Sequence, residues 1–218
     1  MTDKLNAHQQ GLLRSIAEHR ILLTSQLARC HERHVRTTRR SVAALEERGL
    51  IQTSLHARGS GHPEKLLSLT EAGVQILRDH GLLARELPAD SATARTIHCV
   101  DHQLLLNEFH IRLADLERRW PQFAVRFLSS TSPFLPRDPS GRQLTYQQVD
   151  VAGNRSGPEG FLPDAVFSIT HATRHMTLLF FLEVDMGTEP LQSSDRAGRD
   201  IRGKILTYQQ TSSRDDNA

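Results

Sequence analysis

Several features are scarce in this sequence, and each absence narrows what the protein can be. There are 2 cysteines, Cys30 and Cys99, which form no CxxC pair and no disulfide framework. The longest apolar run, Leu178–Leu182, is far shorter than the roughly 18 residues that span a membrane. The N-terminal sequence MTDKLNAHQQ lacks the basic-then-apolar pattern of a signal peptide. We therefore expect a cytoplasmic protein with reduced thiols and no membrane partner.

Charge is present in ordinary amount but is unevenly distributed. The first 85 residues contain 13 basic and 8 acidic side chains, a net charge of +5, whereas the remainder contains 14 and 17, a net charge of −3. A basic N-terminal part favours a polyanionic partner there and not in the second part. The same imbalance also fits arginine-rich helices that only present a solvated face.

The N-terminal third has the order of elements of a winged helix-turn-helix. Apolar spacing predicts a helix over 7–18, and Thr24 or Ser25 can cap a short helix that ends near Cys30. A second helix is predicted from about His34 to Arg48, and Gly49 marks its end. Two strands around a glycine-rich turn and a helix at 71–80 follow.

The phrases TSQLA, LEERGLI and LTEAG, in this order, resemble the winged-helix DNA-binding regulators over residues 7–80. The resemblance implies that the second of the two adjacent helices enters the major groove of duplex DNA. Arginines at helical spacing suit that position, because a guanidinium can bind phosphates or guanine edges. The residues predicted to contact DNA are Arg33, Arg36, Thr37, Arg39 and Arg40 in the helix region and Arg58 and His62 in the wing. The alternative is a winged helix that contacts protein, with its arginines solvated or paired with Glu46 and Glu47.

The second part of the chain is predicted to be a separate α/β domain. We expect a winged helix-turn-helix domain at 1–82, a linker at 83–96, the second domain at 97–210 and a disordered tail at 211–218. The second domain begins with a long helix at 97–119, whose apolar stripe is Leu105, Phe109, Leu113 and Leu116. Strands are predicted at 123–130, 145–153, 161–170 and 177–186, and a last helix around 200–211.

The helix phrase DHQLLLNEF, the dipeptide Pro163-Asp164, the stretch EVDMGTE and the closing KILTYQ resemble a PD-(D/E)xK nuclease-like domain. Together with the winged helix, they resemble the replication-relaxation family of plasmid and mobile-element proteins. The resemblance implies an α+β fold whose second domain holds a small mixed sheet. It also implies Asp164 and Glu183 as catalytic metal ligands, with Glu108 as an additional carboxylate and Mg²⁺ or Mn²⁺ as the cofactor.

The sequence departs from that nuclease pattern at Asp185, where a lysine is expected two residues after Glu183. A carboxylate there repels the DNA backbone unless a metal neutralises it. Either Lys204 supplies the missing positive charge, or Asp185 is a third metal ligand, or the domain is catalytically inactive and serves assembly. We expect a duplex DNA-binding protein, acting in replication, mobilisation or transcriptional control, as a homodimer and with replication or mobilisation proteins as further partners. The alternatives are a Mg²⁺-dependent endonuclease or nickase and a protein–protein adaptor.

Overall fold

The computed structural model describes residues 5–57, 62–138, 145, 147–149 and 159–187. Its first part is a winged helix built from four helices and a three-stranded antiparallel sheet of order β1-β3-β2. The elements are α1 (Ala7–His19), β1 (Ile21–Leu23), α2 (Thr24–Cys30), α3 (Val35–Glu47), β2 (Ile51–His56), β3 (Glu64–Leu69) and α4 (Glu71–Asp79). The sequence therefore predicted every element except the three-residue strand β1.

Local capping explains where most of these helices begin and end. The side chain of Asn6 accepts a hydrogen bond from the Gln9 amide at the start of α1, and Thr70 does the same for Gly73 at the start of α4. Gly49 follows α3 with a φ of 67°, a conformation that favours glycine.

The predicted cap of α2 is wrong. Neither Thr24 nor Ser25 is the N-cap, because both lie within the first turn of the helix. Its amides are instead bound by Gln26, which accepts from the Leu23 amide at 3.1 Å, and by Glu64 of β3, which accepts from the Ser25 amide at 2.5 Å. The wing strand thus completes the start of α2 through a contact between residues 39 positions apart in the chain.

In its described residues, the second part contains a 3₁₀ turn at Ala89–Ser91, the long helix α5 (Val100–Arg119) and five strands. These are β4 (Phe123–Ser129), β5 (Gln147–Val149), β6 (Glu159–Phe161), β7 (Ala165–His171) and β8 (Met176–Leu182). The chain is α+β, as predicted, but the described strands pair only antiparallel, in sheets β4-β7-β8 and β5-β6, instead of forming a mixed sheet. The strand predicted at 161–170 is interrupted near Pro163, which has no amide to donate to a neighbouring strand.

Helix α5 contacts both parts of the molecule. Leu104 packs with Ile21 and Leu23 of β1, and Ile111 joins the core of the winged helix. On another side of the helix, the ring of Phe109 lies 5.3 Å from that of Phe167 in β7. The predicted apolar stripe is therefore partly wrong, since Leu105 is 42% exposed. The buried sides of α5 are determined by two neighbours, the winged helix and the β4-β7-β8 sheet, and not by one.

The predicted last helix, Lys204 and the tail at 211–218 lie outside the described residues. No helix in the described part of the chain is both long and apolar enough to cross a membrane.

Candidate nucleic-acid interface

Helix α3 presents a basic surface to solvent. Its buried side is formed by Thr38, Val42 and Leu45, which pack into the winged-helix core. The residues predicted to bind DNA from this region are all exposed, namely Arg33, Arg36, Thr37, Arg39 and Arg40. His34 caps the helix by accepting a hydrogen bond from the Arg36 amide at 3.1 Å, so that its imidazole lies at the same end as these arginines.

The α3 arginines are not neutralised by the acidic residues that follow them. The arginine ion pairs described within the chain include those of Arg29, Arg95, Arg112 and Arg118, none of which lies on α3. Glu46 instead accepts from Lys65 at 2.7 Å and from Thr53 at 2.5 Å. Hydrogen bonds from Lys65 and then Thr53 lower the pKa of Glu46, so the Glu46 carboxylate interacts with the wing strands and not with the α3 arginines. The exposed arginines of α3 therefore carry a positive charge that no described carboxylate neutralises.

The wing is held in a fixed position beside α3. Glu64 binds both the amide and the hydroxyl of Ser25 in α2, at 2.5 and 3.0 Å, and Lys65 reaches Glu46 near the end of α3. A groove between α3 and the wing is lined by Arg39, Val42, Leu55, Pro63 and Lys65, among others. His62 is exposed near the wing tip, whereas Arg58 lies outside the described residues.

A charged network that the sequence did not reveal attaches α2 to α5. Arg29 binds both oxygens of Glu108, at 2.8 and 2.9 Å, and also binds Asp115 at 2.6 Å. Burial raises the pKa of Glu108, but the hydrogen bond and charge of Arg29, together with hydrogen bonds from Gln26 and Arg112, outweigh it, so the pKa lies below its usual value. Because Arg29 and Glu108 are 79 residues apart, no local spacing in the sequence predicts this contact.

Asp164 joins α5, β7 and the chain after β8. One carboxylate oxygen, Oδ2, accepts a hydrogen bond from the Val184 amide at 2.7 Å and lies 3.1 Å from Nε2 of His102. The backbone carbonyl of the same residue accepts from both the amide and the hydroxyl of Ser130 after β4. Asp164 therefore connects the ends of three strands to the long helix.

The predicted metal ligands are only partly brought together. Glu183 and Asp185 are exposed beside the Val184 amide that Asp164 binds, and Asp185 accepts from the Gly187 amide at 2.9 Å. Glu108 lies six residues after His102 on α5, which places the two roughly 120° apart around the helix, and Glu108 points to Arg29. The described residues contain no group of three or more His, Cys, Asp or Glu side chains that could hold a metal ion. The metal site, the catalytic roles of Asp164, Glu183 and Lys204, and the requirement for Mg²⁺ or Mn²⁺ stay predictions.

A small cavity of about 70 Å³ lies where α1, α5 and β4 meet, and it is lined in part by His19, His110 and Phe127. The ring of His110 stacks on Phe127 at 4.3 Å and on His19 at 4.9 Å. Burial, and then the neighbouring imidazole of His19, lowers the pKa of His110 to about 3, so the His110 imidazole is neutral near pH 7. The cavity is far smaller than the roughly 300 Å³ of a typical ligand pocket.

Comparison with known proteins identifies the family. The replication-relaxation family matches residues 13–215, and the chain belongs to it. No functionally curated protein matches the sequence.

Among solved structures, the chain is similar to the PcaV transcriptional regulator from Streptomyces coelicolor, with 19% identity over 52% of this chain and 77% of that one and a TM-score of 0.34. It is also similar to the zinc-responsive regulator ZitR from Lactococcus lactis in complex with DNA, with 21% identity over 52% and 75% and a TM-score of 0.30. Similarity at this level does not indicate what the chain binds.

Proposed function

We propose that this member of the replication-relaxation family binds duplex DNA, with α3 in the major groove and the wing beside it. The observation that carries the proposal is a set of exposed arginines, Arg33 just before α3 and Arg36, Arg39 and Arg40 on it, which have no carboxylate partner in the described residues. Arginines exposed in this way are available to phosphates and to guanine edges. The acidic second part is used for assembly in replication or mobilisation of a plasmid or other mobile element.

The fixed position of the wing supports this assignment over a role in protein contact alone. Glu64 and Lys65 anchor the wing to α2 and α3, so the groove beside Arg39 is already formed before any partner binds. A pre-formed, positively charged surface loses little conformational entropy on binding a rigid duplex.

The test is binding to a fluorescent duplex, measured by anisotropy over a series of salt concentrations. Arg36→Ala/Arg40→Ala should weaken binding by at least about tenfold and reduce the slope of log K against log salt by up to roughly 2, since each phosphate contact contributes about 0.9. Arg85→Ala/Arg126→Ala removes the same charge from exposed arginines outside this surface and should leave both quantities unchanged. An equal effect of the two double variants would contradict the assignment to α3.

The same protein should be incubated with supercoiled plasmid and Mg²⁺ or Mn²⁺. Binding without nicked or linear product supports the role in assembly. Metal-dependent product that disappears in Asp164→Ala while duplex binding persists would instead show that the second part is a nuclease.

A further inference from the structure

The groove between α3 and the wing combines apolar side chains with a positive charge. Its volume is about 270 Å³, and its walls include Val42 of α3 and Leu55 and Pro63 of the wing. Leu55 is 75% exposed, the highest value among the large apolar side chains that the structure describes. An isolated surface leucine is ordinary, but one that lines a groove beside a cation suits a partner with both apolar and anionic groups.

The pairing of the wing strands turns Leu55 towards α3. Leu55 lies opposite Lys65 in the β2-β3 ladder, so the two side chains share one face of the wing. That face meets α3, because Lys65 and Thr53, which lies two residues before Leu55, both bind the carboxylate of Glu46. Leu55 and Arg39 therefore line the same groove from its two walls.

The charged side chains of the groove differ in whether they already have partners. The carboxylate of Glu64 accepts from the amide and the hydroxyl of Ser25, at 2.5 and 3.0 Å, and the ammonium group of Lys65 binds Glu46 at 2.7 Å. Arg39 is exposed and has no carboxylate partner in the part of the chain that the structure describes. The groove thus offers a guanidinium, which suits a phosphate, beside apolar side chains, which suit the hydrocarbon part of a sugar.

We propose that one sugar-phosphate strand of duplex DNA runs along this groove, with Arg39 binding a phosphate and Leu55 packing on the neighbouring deoxyribose. The inference rests on the proposed function, since an α3 in the major groove places the wing against the strand that borders that groove. The wing is already fixed beside α3 by Glu64 and Lys65, so the groove is formed before the strand enters.

The contact with Leu55 makes the protein selective for deoxyribose. The C2′ carbon of deoxyribose carries only hydrogen, so it packs on a leucine without loss. A ribose hydroxyl at the same place gives up its water and gains no hydrogen bond from the leucine. Because the 2′-hydroxyl is the group that distinguishes RNA from DNA at a given site, Leu55 is a specificity-determining residue, whereas Arg39 supplies affinity for either backbone.

The first test is anisotropy with a fluorescent DNA duplex over a series of salt concentrations. Leu55→Ala should weaken binding roughly tenfold and leave the slope of log K against log salt unchanged, because it removes apolar contact and no charge. Arg39→Gln should weaken binding and reduce the slope by about 0.9, as expected for one lost phosphate contact. Leu105→Ala is the matched control, since Leu105 is 42% exposed on α5, outside the groove, and it should change neither quantity.

The outcomes separate this proposal from the proposed function. If Arg36→Ala/Arg40→Ala weakens binding but Leu55→Ala does not, α3 binds DNA and the assignment of the groove is wrong. If the wild type binds no duplex, both proposals fail.

The second test measures sugar selectivity with the same duplex and a version that has ribonucleotides interspersed along one strand. The wild type should prefer the all-DNA duplex by about fivefold or more, and Leu55→Ala should lose most of this preference. Leu105→Ala should keep it. Any effect of the ribonucleotides on helix shape persists in every variant, so the change between wild type and Leu55→Ala isolates the leucine contact. An equal preference in these two proteins would contradict the role of Leu55.

Discussion

The winged helix and the β4-β7-β8 sheet differ sharply in how much of their apolar surface they bury. Leu12, Leu13, Leu67 and Leu77, from α1, β3 and α4, are at most 1% exposed. In the three described strands of the sheet, the buried apolar residues are Ala165 and Phe167 of β7. The winged helix completes its own core, whereas most apolar side chains of the described sheet strands are not fully buried.

The polar residues of the two regions also differ in whether they already have partners within the protein. On α3, the arginines are exposed and have no carboxylate partner in the described residues, although the winged helix has acidic groups nearby. At the end of the sheet, Asp164 already binds Val184 and His102. An external partner binds more readily to side chains that have no partner within the protein. The exposed arginines of α3 are therefore a better candidate binding surface than the acidic residues at the strand ends.

The largest expected effect is on the core of the winged helix. Leu67→Ala should lower the free energy of unfolding by about 3 kcal/mol, because it leaves a cavity at a fully buried position. Leu128→Ala, on β4, should cost less than about 1 kcal/mol, since Leu128 is 41% exposed. Both values can be measured by urea denaturation. Equal losses of unfolding free energy would show that the two regions do not differ in how well they bury their apolar side chains.

The attachment of α5 to the winged helix should give the next largest effect. Asn107 donates to the carbonyls of Ile21 and His19, at 2.6 and 3.2 Å, and is buried. Asn107→Ala should cost about 2 kcal/mol of unfolding free energy, because buried carbonyls lose their donor.

Gln75→Ala is the matched control for Asn107, since it removes an exposed amide whose described hydrogen bond is to Asp79 within α4. It should change stability by less than about 0.5 kcal/mol. If the two variants lost equal stability, α5 would not be fixed to the winged helix by Asn107.

The smallest effect is expected at the half-exposed network of Arg29. Arg29→Met should cost about 1 kcal/mol near pH 7, because ion pairs with this exposure are weakened by solvent. Glu108 and Asp115 have folded pKa values below their usual 4.5 and 3.8. Their contribution is therefore complete above about pH 5 and is lost as the pH falls through the folded pKa values.

The measurement is the unfolding free energy of wild type and Arg29→Met between pH 7 and pH 3. The difference between the two proteins should shrink on acidification. Arg95→Met provides the control, since its partners Glu71 and Asp90 are more exposed and the pair is weaker. A difference that stays constant with pH would show that Arg29 acts through packing and not through its charge.

The sequence predicted the winged helix well because its signals are local. Thr70 caps α4 and Gly49 ends α3 through contacts within a few residues. The exposure of Arg36 and Arg40 follows from the same periodicity that buries Val42. Strand β1 was missed because three residues are too short to show a period, and they become a strand only by pairing with β3.

The sequence was less informative about the second part because its signals depend on distant partners. From residue type alone, the carboxylates of Asp164, Glu183 and Glu108 cannot be ranked as metal ligands, because ranking them requires their neighbours in the fold. In the fold, Glu108 turns to Arg29, and Asp164 binds a backbone amide 20 residues away. The spacing of these residues along the sequence does not distinguish the observed contacts from a metal site.

By itself, the sequence determined the order of the helices and wing strands of the first part, the family pattern and the arginine-rich helix, since these depend on residue type and on neighbours three or four positions away. Only the tertiary structure decided that α5 belongs to both parts of the molecule, that Glu64 completes the start of α2 and that β8 lies at an edge. Those features arise from contacts between residues far apart in the chain, where geometry and burial, and not periodicity, determine which groups meet.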